Sequence, residues 1–168
     1  MSARATRATD ELTRAGIAFR VLAYEPPERH GADRDERPAW GRDAATALSV
    51  GEDRIFKTLV ATVDGRLALA VVPVASALDL KALATALEGR RADLAEPADA
   101  ERATGYVVGG ISPIGVRRGL PAVLDVGAMA HTTILVSAGR RGLQVELAPA
   151  DLARATGAIV APIARLED

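Results

Sequence analysis

The chain reads as a mixed α/β fold, a curled, barrel-like mixed sheet with helices packed around it. Three observations predict this. Apolar runs of period two are interspersed with helical segments. Two of the strand runs are joined by the two-residue turn Asp64-Gly65, which marks a hairpin rather than a crossover. The chain lacks both a regular βαβ alternation and a G-x-G-x-x-G after a first strand, so a doubly wound parallel sheet is set aside. At 168 residues, with no internal repeat, low-complexity tract or linker, one domain spanning 1–168 is expected. Aromatic residues are 3% of the chain, so its core must be built from Ala, Val, Leu and Ile.

The elements follow in order. A first helix is expected from about Ala3 to Ala15, with Gly16 as its C′ residue. Ile17 to Tyr24 reads as a strand. Glu25 to Trp40 is polar and proline-rich, a long loop. A short helix spans Arg42 to Leu48. Ile55 to Val63 and Arg66 to Pro73 are the arms of the hairpin. Ser76 and Asp79 form a capping-box-like pair that opens a helix through Leu87, closed by Gly89. Pro97 starts another helix, which stops before Gly105. Tyr106 to Gly119 is irregular. Pro121 to Asp125, Thr132 to Ala138 and Leu143 to Ala148 are strands, the last two joined by Gly139-Arg140-Arg141-Gly142. Pro149 to Thr156 is a helix, and a short strand and tail finish the chain.

Composition excludes several kinds of chemistry. With no cysteine, the chain has no disulfide scaffold, thiolate metal site or cysteine nucleophile. Its two histidines, His30 and His131, are far apart and sit in polar or turn-like surroundings, so a structural zinc site is not expected. No apolar run approaches a membrane span, and the N-terminus lacks the apolar core of a signal peptide, so a cytoplasmic protein is expected. The formal charge of −1 does not advertise nucleic acid across the whole surface. Basic charge is local, in Arg90-Arg91, Arg117-Arg118 and Arg140-Arg141. Each pair is either a solubilising turn or part of a shared basic rim.

Three segments carry candidate chemistry. Lys57 shares the strand face of Ile55, Leu59, Ala61 and Val63, which is otherwise apolar. A lysine there is either a cation aimed into a pocket or an edge gatekeeper. Nearly all other basic residues are Arg, which favours a position where a compact point charge matters. Gly109-Gly110-Ile111-Ser112-Pro113 is a loop whose backbone can approach a ligand closely and whose N–H groups can form an anion or carbonyl site, or it is a plain turn. Ser112 has neither a nearby histidine nor a nucleophile-elbow pattern, which disfavours covalent catalysis. Ser137-Ala138-Gly139-Arg140-Arg141-Gly142 is either a hairpin turn or a phosphate-contacting loop. Asp125 ends a strand without a carboxylate partner in sequence.

Taken together, Phe56-Lys57-Thr58-Leu59, Asp79-Leu80-Lys81, the segment Thr104 to Gly115, Leu120 to Asp125 and Val136 to Leu152 resemble the YbaK family in order and spacing. These are Cys-tRNA(Pro) deacylases, related to the editing domain inserted in bacterial prolyl-tRNA synthetases. The resemblance runs from about Ala5 to the end. It implies a mixed α/β domain, an essential lysine at Lys57, and a G-x-x-x-P loop at Gly109 to Pro113 that holds the aminoacyl moiety. Tyr24, Trp40 and Thr58 would shape the pocket, with Asp125, Ser137 and Gly139 at its border. Arg117, Arg118, Arg140 and Arg141 would touch the acceptor end of tRNA(Pro), with prolyl-tRNA synthetase a possible partner. No cofactor and no metal are implied. The Tyr24 to Trp40 loop is longer than in relatives, and Trp40-Gly41 stands where they carry Phe or Tyr before Gly. Arg117-Arg118-Gly119 lacks a third basic residue that relatives often show.

Lacking a nucleophile of its own, a deacylase of this composition would take one from the substrate. In the resembled family the thiol of the esterified cysteine attacks its own carbonyl. The alternatives are a deacylase for another small amino acid such as alanine, or a module that binds aminoacyl-tRNA or an amino acid without turnover.

Overall fold

The computed structural model describes residues 4–26 and 40–166. Its elements are α1 (Arg7–Arg14), β1 (Arg20–Ala23), α2 (Trp40–Leu48), β2 (Phe56–Val63), β3 (Arg66–Pro73), β4 (Ser76–Leu78), α3 (Leu80–Ala86), β5 (Ala92–Leu94), α4 (Pro97–Thr104), β6 (Ala122–Asp125), a 3-10 turn (Val126–Ala130), β7 (Ile134–Ser137), β8 (Leu143–Leu147), α5 (Pro149–Thr156), β9 (Ile159–Ala161) and β10 (Ala164–Leu166).

The mixed α/β class holds, and the described strands do not close into a barrel. They form a five-stranded sheet in the order β5-β2-β3-β6-β9, a three-stranded sheet β1-β8-β7 and the pair β10-β4. β2 runs antiparallel to β3, whereas β3, β6 and β9 are parallel neighbours. The two larger sheets touch at one parallel bridge, Ile55 to Leu135, where the Leu135 N–H donates to the Arg54 carbonyl at 3.1 Å. β2 is thus the strand at which they meet.

Local chemistry explains most of the boundaries. α1 starts later than expected because Thr6 caps it. The Thr6 hydroxyl accepts from the Thr9 N–H while the Thr9 hydroxyl accepts from the Thr6 N–H. Thr6 also donates to the Ala138 carbonyl at 2.5 Å, which ties the helix to the exit of β7. α4 and α5 each begin with a proline and end on a glycine in the left-handed region, Gly105 and Gly157. The hairpin turn has positive φ at both Asp64 (50°) and Gly65 (82°), as a type I′ turn requires.

The Ser76 cap is corrected. Ser76–Leu78 pairs antiparallel with β10, and Asp79 alone caps α3, accepting from the Ala82 N–H at 3.0 Å. A pairing with the chain's last strand outcompetes a local cap worth about 1 kcal/mol.

The five-stranded sheet is covered on both faces. Leu12, Phe56, Val71, Leu124, Val136 and Leu152 belong to one buried cluster, and Ala61, Ala70, Val72, Leu83, Val123 and Ile163 to another. β3 is therefore buried along nearly its whole length and reads as a continuous apolar run.

At the hairpin tip the Asp64 carboxylate accepts from the Arg90 and Arg91 N–H groups at 3.0–3.2 Å, which holds its pKa below the ordinary value. A depressed carboxylate contributes stability above the unfolded value near ~3.9 and loses it as pH falls through the folded value. The melting temperature of wild type should therefore exceed that of Asp64→Asn near neutrality, with the gap narrowing below about pH 4. A gap independent of pH would remove the carboxylate from the account.

Candidate functional site

The hairpin register decides what β2 offers to a ligand. Its two-residue turn makes Val63 and Arg66 a hydrogen-bonded pair, so by alternation Lys57, Leu59 and Ala61 aim their main-chain groups at β3. Phe56, Thr58, Val60 and Thr62 aim theirs at the opposite edge. β5 occupies that edge at Ala61 to Val63, and the Ala95 N–H reaches the Val60 carbonyl at 3.0 Å. β7 approaches it at the other end, at Ile55. Between them, no described strand pairs with the outward N–H and C=O of Thr58. β7 runs beside β2 from Ile55 to the level of Lys57 and Ser137, so the notch left at this edge is short, between Ser137 and Ala95.

The side chains around the notch come from both sheets. Two residues beyond the Ile55–Leu135 bridge stand Lys57 on β2 and Ser137 on β7, so these two share a face. Ser137 pairs with Gln144 across β7 and β8, and Gln144 pairs with Leu22 across β8 and β1. Leu22 and Tyr24 pack against the cluster of Ala44, Ala45, Ile55, Val74 and Leu135. The Tyr24 N–H donates to the Gly142 carbonyl at 2.9 Å. Lys57, Ser137, Gln144 and Tyr24 thus lie along one largely apolar face. Lys57 is partly buried rather than fully exposed.

Thr58 points to the other face, and its Oγ1 is buried without a hydrogen-bond partner. Gln144 is 7% exposed, and its Oε1 likewise lacks a partner. Buried polar atoms of this kind cost about 1–3 kcal/mol unless something satisfies them. Gln144 was not among the residues expected from the sequence. In Leu143-Gln144-Val145-Glu146-Leu147 it looks like the solvent side of an ordinary half-buried strand.

The Gly109–Pro113 loop lies at the Val60 end of the notch, where Ile111 packs against the cluster of Val60, Leu69, Ala100 and Ala122. Gly109 has φ 91°. At Gly110 a Cβ would fall 2.9–3.1 Å from the backbone of Arg140 and Arg141. The loop is therefore seated directly on the β7–β8 turn, and the Arg141 guanidinium donates twice to the Val108 carbonyl, at 2.6 and 3.0 Å. Gly110→Ala should displace the loop and reduce deacylation by about tenfold or more, since a misplacement of ~1 Å can cost 100-fold. Steady-state rates on charged tRNA test this, and activity within twofold of wild type would separate the loop from the chemistry.

The remaining expected residues are placed as follows. Ser112 is fully buried and accepts from the Ile114 N–H at 3.2 Å, so it shapes its own turn. Pro113 is buried. The Ser137 hydroxyl accepts from the Gly139 N–H at 3.1 Å, and a Cβ on Gly139 would come within 2.7 Å of the Tyr106 ring. The Tyr106 hydroxyl donates to the Ile114 carbonyl at 2.6 Å, and burial raises its pKa, which keeps it a neutral donor. Trp40 opens α2, but its side chain lies outside the description, as do His30 and most of the Glu25 to Trp40 loop.

Asp125 acts as a clasp between strands. It is 6% exposed, with one oxygen accepting from the Ile163 and Ala164 N–H groups and the other from Gly127, each at 2.9 Å. Asp125→Ala should destabilise the protein by about 3 kcal/mol, because three donors are left without an acceptor. A melting temperature unchanged from wild type would contradict this.

Arg90-Arg91 sits at the hairpin tip, seven residues along β2 from Lys57, or about 23 Å at ~3.3 Å per residue. Arg117 and Arg118 are exposed, and their N–H groups donate to Thr104 and Ala103 at the end of α4. Arg117 lines a cleft of about 480 Å³ together with Arg7, Asp10, Glu11 and Arg14, where opposite charges are interleaved. Arg140-Arg141 adjoins the Gly110 end of the loop, and Arg117 shares its cleft with Pro113 at the other end.

An aminoacyl-tRNA editing domain family model matches residues 39–155, which include β2, the notch, the loop and the β7–β8 turn. The chain belongs to the aminoacyl-tRNA editing domain family. It is 44% identical over 119 residues to a protein of Enterococcus faecalis named as a Cys-tRNA(Pro)/Cys-tRNA(Cys) deacylase, EbsC, covering 66% of this chain and 72% of that one. A crystal structure described as a trans-editing enzyme for prolyl-tRNA synthetase superposes with a TM-score of 0.80 at 25% identity, over 98% of this chain and 99% of that one. A crystal structure of a hypothetical protein superposes at 0.81 and 25% identity, over 95% and 100%. The editing domain is an enzyme, an aminoacyl-tRNA deacylase, and tRNA is its substrate. Among the described residues there is no group of three metal-ligating His, Asp or Glu, and no helix is long and apolar enough to cross a membrane.

Proposed function

We propose that this editing domain clears cysteine from tRNA(Pro) in trans, with the substrate's own thiol as the nucleophile. The observation that carries the reading is a notch bordered by Lys57 that offers a cation and hydrogen-bonding groups but, among the described residues, no cysteine and no serine paired with a base. Ser112 is fully buried in its own turn, and Ser137 accepts from Gly139 with no described histidine assigned to it. The resemblance to a deacylase named for Cys-tRNA(Pro) supports the same substrate.

In this reading the thiolate attacks the ester carbonyl, the carbon–oxygen bond to the ribose breaks, and the 3′-oxygen leaves with a proton. The product is a four-membered thiolactone, which water opens to free cysteine. The protein supplies geometry and charge. Fixing an intramolecular attack is worth several kcal/mol, and a preformed donor at the developing oxyanion roughly 3 kcal/mol. Lys57 stabilises negative charge at the ester or 3′-terminal phosphate end. Gly109 to Ser112 surround the aminoacyl moiety with backbone groups, and Tyr24, Trp40 and Thr58 shape the pocket. Arg140 contacts the acceptor end, with Arg141 holding the loop that it borders. Prolyl-tRNA synthetase is the natural source of the mischarged tRNA.

The test is release of amino acid from charged tRNA by purified protein. Cys-tRNA(Pro) should be deacylated well above the spontaneous rate. A protein that binds this tRNA but releases nothing would be a binding module instead.

A further inference from the structure

We infer that Tyr106 and Arg7 are positioning residues for deacylation, and that together they brace the base of the loop carrying Gly109 to Pro113. The inference rests on the deacylase reading, in which that loop holds the aminoacyl group.

Residues 105–116 leave α4 and return to its end. The Arg117 and Arg118 N–H groups donate to the Thr104 and Ala103 carbonyls at 2.9 and 3.2 Å, so the two ends of the loop lie side by side. A loop joined only at its base can swing as a unit. Loops of this kind keep one shape when their own side chains pack them.

Tyr106 does this here. It is 7% exposed, and its hydroxyl crosses the loop to donate to the Ile114 carbonyl at 2.6 Å. Its ring occupies the place that a side chain at position 139 would take, since a Cβ on Gly139 would lie 2.7 Å from it. Gly139 leads into the β7–β8 turn, on which Gly110 also sits. Tyr106 therefore joins the base of the loop to the same turn that supports Gly110.

Arg7 braces the base from α1. Its guanidinium donates to the Thr104 carbonyl at 2.6 Å and stands 5.1 Å from the centre of the Tyr106 ring, within cation–π range. Glycines at both ends of the loop make room for it. A Cβ on Gly105 would fall 2.5 Å from the Arg7 Nη2, and one on Gly115 would fall 3.0 Å from the Arg7 main chain and from the Tyr106 hydroxyl. Thr6, one residue earlier, donates to the Ala138 carbonyl just before Gly139. The start of α1 thus holds the loop and the turn at once, although it lies outside the residues 39–155 that match the family. Backbone groups that must meet a reacting carbonyl lose rate steeply when displaced, because ~1 Å can cost about 100-fold.

Tyr106→Phe keeps the ring and removes only the bond to Ile114. Its kcat should fall about tenfold or more. Amide exchange at Gly110 and Ile114 should speed up at least about tenfold, while exchange at Val72 in the hairpin stays within about twofold, because the opening is local. A tyrosine that only stabilised the fold would speed all three alike. Arg7→Ala should show the same pattern with a loss in kcat of about threefold or more. Both residues act through one loop, so the double variant should lose less than the product of the two single losses. A folded Tyr106→Phe variant within threefold of wild type would overturn the brace, as would uniform exchange or losses that simply multiply. If Tyr106→Phe does not fold, Arg7→Ala decides by rate and exchange, and a rate within twofold of wild type would overturn the brace. If wild type deacylates no charged tRNA, the deacylase reading itself fails, and the exchange pattern alone decides whether the brace exists.

Discussion

Lys57→Ala is expected to lower kcat for deacylation by about 100-fold or more, with the melting temperature almost unchanged. The main-chain groups of Lys57 pair with Val72 whatever the side chain, so the strand does not need the ammonium. A partly exposed ionic contact adds about 0–1 kcal/mol to stability. Charge stabilisation in a pocket shielded from water is worth far more to a transition state than that. Lys57→Arg should fail as well. A planar fork delivers its charge over a wider span and cannot sit where a compact ammonium does. Circular dichroism and thermal melts should be read beside the rates. An unfolded Ala variant would make Lys57 structural, and a folded variant of near-normal rate would leave the notch without its cation.

What the sequence disclosed, and what it hid, follows from how local each signal is. The hairpin is legible because two consecutive residues with positive φ need Asp-Gly or its equivalents. α4 and α5 are legible because proline at the start and glycine at the end act within one turn of the helix. β5, β4 and β10 have three residues each, and nothing in Ala92-Asp93-Leu94 demands a strand until β2 lies beside it. The Ser76 signal misled for the same reason, since its competitor is the chain's last strand. The Lys57 face was legible from period two. The notch was not, because a gap in a sheet edge is defined by where two distant strands stop. Gln144 stayed hidden within an ordinary alternation, and only its burial without a partner sets it apart. The place of Arg90-Arg91 at the hairpin tip was hidden because charge pairs carry no information about distance. The Asp125 clasp was not legible because its three backbone donors are remote in sequence or lie just past the strand.

Cys-tRNA(Pro) should be cleaved at least about 1,000-fold faster than Ser-tRNA(Pro) or Ala-tRNA(Pro), and the excess should lie in kcat rather than KM. Serine differs from cysteine by one atom and fits nearly the same volume. Binding alone separates near-isosteres of that kind by only about 100-fold. Reactivity separates them much further. A few per cent of a cysteine thiol is thiolate near pH 7, while an alcohol is essentially un-ionised. S-methylcysteine esterified to the same tRNA blocks the nucleophile while keeping the amine and the carbonyl. It should compete with Cys-tRNA(Pro) for binding yet turn over at the background rate. Comparable rates for the Cys, Ser and Ala esters would instead make water the nucleophile. The enzyme would then be a broader deacylase, with Lys57 and the Gly109 loop acting on water and carbonyl directly.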